Sequence, residues 1–190
     1  GYGSYFSVLG SVTANGSGGF TNGTIDIDDP ALGSALRSNY AFTHLPTSGT
    51  YNVTSDGRGT GNISVSINGT NVQFGLDFVL TSNSHGSISR FDNYGSGSGS
   101  IDLQSANLAQ SSLAGSYAFG FNGVDSTVVN SLSTVGAFTL DGNGQVTAGQ
   151  QDFGDNGNSR GLRNLPISGS VLVGVPGSSQ LTTSAFGFGT

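Results

Sequence analysis

The ionisable side chains of this 190-residue chain are few: eleven Asp, five Arg, two His and six Tyr, with no Lys, Glu or Cys. Asp26, Asp28 and Asp29 form the one short acidic cluster, and Asp152 with Asp155 is its partial counterpart later in the chain. Carboxylates joined by backbone carbonyls of a Gly-rich loop suit Ca²⁺, so these three are the candidate metal ligands. The same spacing has a second reading, in which Asp26 and Asp28 point outward from a strand whose Ile25 and Ile27 point inward. Asp29 then caps a helical turn that Pro30 opens. No stretch has the twelve-residue loop of a helix-loop-helix calcium site. His44 stands before Leu45-Pro46 and corresponds to Asn164, while His85 lies in the Asn83-Ser84-His85-Gly86 turn. Both read as turn or loop residues without a chemical role. No nucleophile elbow is read, and abundant serine makes a Ser/His/Asp trio easy to draw and uninformative. The expectation is a non-enzyme without a cofactor.

Binding chemistry has two sources. Tyr2, Tyr5, Tyr40 and Tyr94 are candidates to stack on sugars, and a small barrel holds an apolar ligand if its interior is lined but not filled. The expected inward set of Phe74, Leu76, Phe78, Phe119, Phe121, Phe138 and Leu140 is bulky and favours a filled core. A net charge of −6, a pI near 4.3 and five scattered Arg leave no basic stripe for phosphates, which argues against nucleic acid. No apolar run reaches 18 residues, so no membrane-spanning helix is expected. Without Cys there are no disulfides or thiolate sites. Five Asn-x-Ser/Thr sequons occur, at Asn15, Asn22, Asn52, Asn62 and Asn68, but a chain this rich in Ser and Thr meets the pattern by chance.

The elements that must position these residues are strands. Gly accounts for 33 residues and charged residues for 8%, and the absence of Lys and Glu removes the usual material of surface helices. Val72, Phe74, Leu76, Phe78 and Leu80 alternate with polar residues, as do Ile63, Val65 and Ile67. Asn68-Gly69 between the two runs is a strong hairpin signal. The 34% of hydrophobic residues, with 12 Phe, are enough to bury a core despite the Gly and Ser content. The prediction is an all-β chain of antiparallel meanders, as an up-and-down barrel or a flattened sandwich, with at most one short helical turn. The Gly-Ser-Gly-Ser-Gly-Ser run at residues 95–100 reads as a strand rather than a linker, because small residues let a neighbouring backbone approach.

Residues 10–23 align without a gap on 136–149, and Leu45-Pro46, Gly49, Tyr51 and Val53 align on Leu165-Pro166, Gly169, Val171 and Val173. An internal repeat is the reading. It divides the chain into a first unit at 1–104, whose opening strand is missing or vestigial, a connector at 105–114, and a second unit at 115–190 that lacks its last strands. Merging the copies predicts strands at 116–122, 133–140, 145–153, 168–173, 179–187, 72–81, 86–92 and 99–104. The chain begins at Gly1 without Met and shows no signal peptide, which reads as a processed or partial chain.

The Asp141-Gly-Asn-Gly turn, the Gly49-Thr-Tyr-Asn-Val strand, the Gln73-Phe-Gly-Leu-Asp-Phe strand and the final Gly-Ser-Gly-Ser-Gly strand together resemble the tandem β-rich repeats of large secreted, cell-surface proteins of acidobacteria-like environmental bacteria. The similarity spans nearly the whole chain. It departs from that pattern in that both ends are cut within a repeat. The resemblance implies an extracellular structural or adhesive role and transfers no catalytic residues. Unpaired strand edges then predict a homo-oligomer, a head-to-tail filament or adhesin-like polymer closed by strand addition. The alternative is a secreted β-barrel that binds a carbohydrate or small apolar ligand.

Overall fold

The computed structural model describes residues 6–36, 41–93, 95–105, 108–125, 130–155, 161–173 and 180–183. The chain is all-β and separates into two compact units, Gly1–Ala106 and Asn107–Thr190, each an antiparallel meander.

The first unit runs β1 (Ser7–Ala14), β2 (Gly19–Asp28), α1 (Pro30–Leu36), β3 (Ala41–Val53), β4 (Arg58–Ile67), β5 (Thr70–Leu80), β6 (His85–Asp92) and β7 (Gly95–Asp102). Its seven strands pair in sequence order. Turn chemistry sets the register. Asn68 and Gly69 adopt φ of 50° and 79°, the left-handed pair that a two-residue hairpin requires, and β4 meets β5 without a shift from Ile67↔Thr70 to Arg58↔Val79. Period-two alternation then sends Val65, Ile67 and Phe74 inward with Ile25, Ile27 and Phe42, and Leu32 and Leu36 of α1 pack against this cluster. Ile27, Ile67 and Val65 are at most 2% exposed, and burying each stabilises by about 1.5–3 kcal/mol. The sheet is curled: the ring of Phe6, just before β1, lies over the Arg90 guanidinium of β6 at 4.7 Å and against Gly97 of β7.

The second unit has a 3-10 helix at Gln110–Leu113, then β8 (Gly115–Asp125), β9 (Asn130–Leu140), β10 (Val146–Asp155), β11 (Leu162–Ser170) and β12 (Gln180–Thr183), in the order β12-β11-β10-β9-β8. Gln110 ties its helix to the sheet by donating from Nε2 to the Val171 carbonyl (2.7 Å) and accepting from the Val173 N–H (2.8 Å).

Several boundaries differ from expectation. The Gly-Ser run is strand as expected, and the strand placed at 99–104 is Gly95–Asp102. The strand expected at 168–173 is Leu162–Ser170, because a bulge between Gln151 and Phe153 lets the backbone stay paired ahead of Leu165-Pro166. α1 is seven residues, about two turns rather than one. Residues 179 and 184–187 of the expected strand 179–187, and the opening strand expected to be missing or vestigial before Ser4, lie outside the described residues. The expected filled interior is realised only in part: Phe74 and Leu140 are buried, Leu76, Phe78, Phe119 and Phe138 are half-buried, and Phe121 is 55% exposed.

Candidate functional site

The three aspartates proposed for a cation do not converge on one. Asp26 Oδ1 accepts the His44 backbone N–H at 2.7 Å. Asp28 is exposed at the end of β2. Asp29 is buried, and its Oδ1 accepts from the N–H groups of Ala31 and Leu32 at 2.9 and 3.0 Å as the N-cap of α1. Its Oδ2 already faces a cation, Arg90 Nη1 at 4.0 Å. Among the described residues no three His, Cys, Asp or Glu side chains gather as metal ligands.

Asp26 has a structural counterpart. Asp152 Oδ1 accepts the Asn164 N–H at 2.9 Å, and His44 and Asn164 share a left-handed backbone with φ of 58° and 56°. Each Asp sits where its strand pair shifts register, between Ile25 and Ile27 or between Gln151 and Phe153. A carboxylate that accepts the N–H of a positive-φ residue anchors a β-bulge. His44 is therefore part of strand β3 rather than a loop. The side chain of Asp155 lies outside those described.

Arg90 is the strongest polar feature of the first unit, and its role was not read from sequence. Its side chain is 9% exposed, donates from Nε to Asp92 Oδ2 at 2.9 Å and lies between the rings of Phe6 and Phe74, at 4.7 and 4.8 Å from their centroids. Asp92 Oδ1 in turn accepts the Gly95 N–H at 3.0 Å, which closes the β6–β7 turn. One cation thus holds the cap of α1, the tip of this hairpin and two rings together.

His85 is likewise in a strand, not a turn. It stands opposite Asp102 in the β6–β7 register, and its Nδ1 lies 2.6 Å from Asp102 Oδ1 while Ser100 Oγ donates to Oδ2 at 2.9 Å. The His85 contact, then Ser100, holds the Asp102 carboxyl below its ordinary value of 3.8. The pair is an exposed hydrogen-bonded contact across the β6–β7 hairpin. The neighbouring Ser82 and Ser84 hydroxyls lie 3.4 Å apart and bond to each other. The pairing was legible in principle, since counting back from Asp92-Gly95 places His85 opposite Asp102.

Contrary to the expectation of no such motif, the string Gly157-Asn158-Ser159-Arg160-Gly161 has the spacing of a nucleophile elbow. An elbow is a strand-to-helix turn, whereas strand β11 follows here, and residues 157–160 lie outside the described residues. Tyr2, Tyr5, Tyr40 and Tyr94 also lie outside them.

An open groove of about 580 Å³ crosses β3 to β7. It is lined by Asn52, Thr60, Asp77, Ser89 and Ser98, one row of the sheet register, with Arg58 at its end. Arg58 Nε donates to Asp56 Oδ2 at 2.7 Å on the exposed turn. Phe78, Val79 and Ile88 also line the groove and most of its exposed surface is apolar, so the row of hydroxyls, an amide and a carboxylate adds a few polar groups to a largely apolar groove.

The fold and these features define an all-β antiparallel meander protein whose polar clusters brace turns, bulges and a curled sheet. No helix among the described residues is long and apolar enough to cross a membrane. No protein-family model matches the chain, and comparison with curated proteins and with solved structures gave no match.

Proposed function

We propose that this chain is an extracellular structural protein, a β-repeat subunit that assembles head to tail into a surface filament or adhesin-like polymer by strand complementation. The observation that carries the reading is the set of free sheet edges. Among the described residues β1 and β7 each pair on one side only, as do β8 and β12. Large apolar side chains stand open at or beside them, including Leu9 (78%), Phe91 (74%) and Phe121 (55%). Long unprotected edges template pairing with another chain, and the usual deterrent of edge Lys is absent. A chain without Lys, Met or Cys also resists sulfur oxidation and cleavage at Lys, which suits a long-lived surface polymer. Electron microscopy and light scattering across a concentration series test the reading. Filaments or concentration-dependent growth are expected; a monodisperse monomer throughout would defeat it.

The groove over β3 to β7 favours a second reading, a binding module for a carbohydrate. Saturable binding of oligosaccharides by calorimetry, abolished by Asp77→Ala with the fold intact, is its expected signature.

A further inference from the structure

Several polar side chains of the first unit brace its backbone: Asn15 holds the β1–β2 turn, Asp26 a bulge, Asp29 the cap of α1 and Asp92 the β6–β7 turn. The polar row along the groove does not. Among the described residues no hydrogen bond or ion pair engages the side chains of Asn52, Thr60, Asp77 or Ser98, and all four are exposed. Only Ser89 turns its hydroxyl back onto the chain, donating to the Gly97 carbonyl at 2.9 Å. Period two puts the row on the face of the sheet opposite Val65 and Phe74, away from the core.

The register sets the spacing of these groups. Asn52↔Thr60, Thr60↔Asp77, Asp77↔Ser89 and Ser89↔Ser98 are direct partners, so the row crosses five strands at about 4.8 Å per step, roughly 19 Å in all. A ligand that uses the whole row is therefore long, repeats at the strand spacing, and carries both an apolar face for the groove wall and polar groups for the row. An extended peptide does not fit: its side chains on one face repeat at about 6.8 Å, and it takes its hydrogen bonds from a sheet edge rather than a face. A chain of anions meets the Asp77 carboxylate and a net charge of −6, while the nearby Arg58 is already paired with Asp56. An uncharged β-linked glycan has the required pattern, because each ring of its extended form advances by close to one strand spacing, presents an apolar C–H face and carries hydroxyls on its rim. Asp77, free at the middle of the row, accepts from such hydroxyls. From this we infer that the ligand of the groove is an uncharged, extended, β-linked glycan, with about four rings lying across β3 to β7. The inference rests on the carbohydrate-binding reading and names its ligand class.

The test uses the full chain and calorimetric titration with β-1,4-linked glucose oligosaccharides of two to six rings, beside α-1,4-linked glucose oligosaccharides and oligogalacturonates of the same lengths. Affinity for the β-linked series should rise with each ring and level off at about four, with the coiled α-linked chains and the acidic chains binding clearly more weakly. Asn52→Ala and Ser98→Ala truncate exposed side chains at the two ends of the row, so the circular dichroism spectrum should not change. Each should weaken binding of the longer oligosaccharides about two- to tenfold, the effect of one lost hydrogen bond, and leave the two-ring sugar unaffected. Equal affinity for two rings and five, or equal binding of the α-linked or acidic chains, overturns the extended-glycan inference while the carbohydrate reading stands. Length dependence that both variants leave untouched places the glycan elsewhere and overturns it as well. If none of these oligosaccharides binds, the carbohydrate reading falls with it.

Discussion

At the scale of single residues, Arg90 decides most. Its guanidinium is enclosed by Asp92, Asp29, Phe6 and Phe74, so removing the charge leaves two nearly buried carboxylates without their cation. Arg90→Met should destabilise the first unit by about 3–5 kcal/mol in urea denaturation, and Arg90→Lys should recover only part, because Lys lacks the planar fork and stacks poorly. Exposed carboxylates add a dependence on acid. Asp56 is held below 3.8 by the Thr54 hydroxyl and then Arg58, Asp102 by His85 and then Ser100, and Asp141 by the backbone N–H of Gln145. A depressed folded pKa contributes stability above the ordinary value that is lost as pH falls through the folded one. Thermal midpoints should therefore stay level from neutrality to the ordinary carboxylate range and fall below it, and Asp141→Asn should flatten the fall.

At the scale of elements, two glycines with the same φ separate backbone strain from crowding. Gly69 and Gly144 both adopt 79°, but a Cβ at Gly69 meets open space whereas one at Gly144 runs into the Val171 carbonyl and the Gln110 amide. Gly69→Ala should cost about 1 kcal/mol, the left-handed penalty alone. Gly144→Ala should cost clearly more, because it also breaks the bond from the Val171 N–H to the Gly144 carbonyl that ties the turn to the sheet. Comparing the two variants by chemical denaturation checks this. Much of this scale was legible in the sequence. The Asn68-Gly69 hairpin, the Asp29-Pro30 helix start and the strand character of residues 95–100 all follow from local φ preferences and period two. The bulges at His44 and Asn164 were not, because a left-handed residue inside a strand is held by a carboxylate on the neighbouring strand, 18 or 12 residues away.

At the scale of the whole molecule, the proposed assembly carries its own dependence on salt. Chains of net charge −6 repel one another, while pairing of strand edges through backbone hydrogen bonds needs no ion pair that salt would screen. Added salt should therefore promote growth in the light-scattering series, and dissociation by salt would point to a different contact. By itself the sequence determined the class of architecture: alternation, turn residues and the lack of helix-forming side chains act over a few positions and favour antiparallel strands joined by tight turns. Only the tertiary structure decided how far the first sheet curls, that Arg90 is sandwiched in its interior, and that His85 faces Asp102. Those outcomes depend on which distant strands come into register, and the energies that choose among registers are contacts between residues that no local pattern relates.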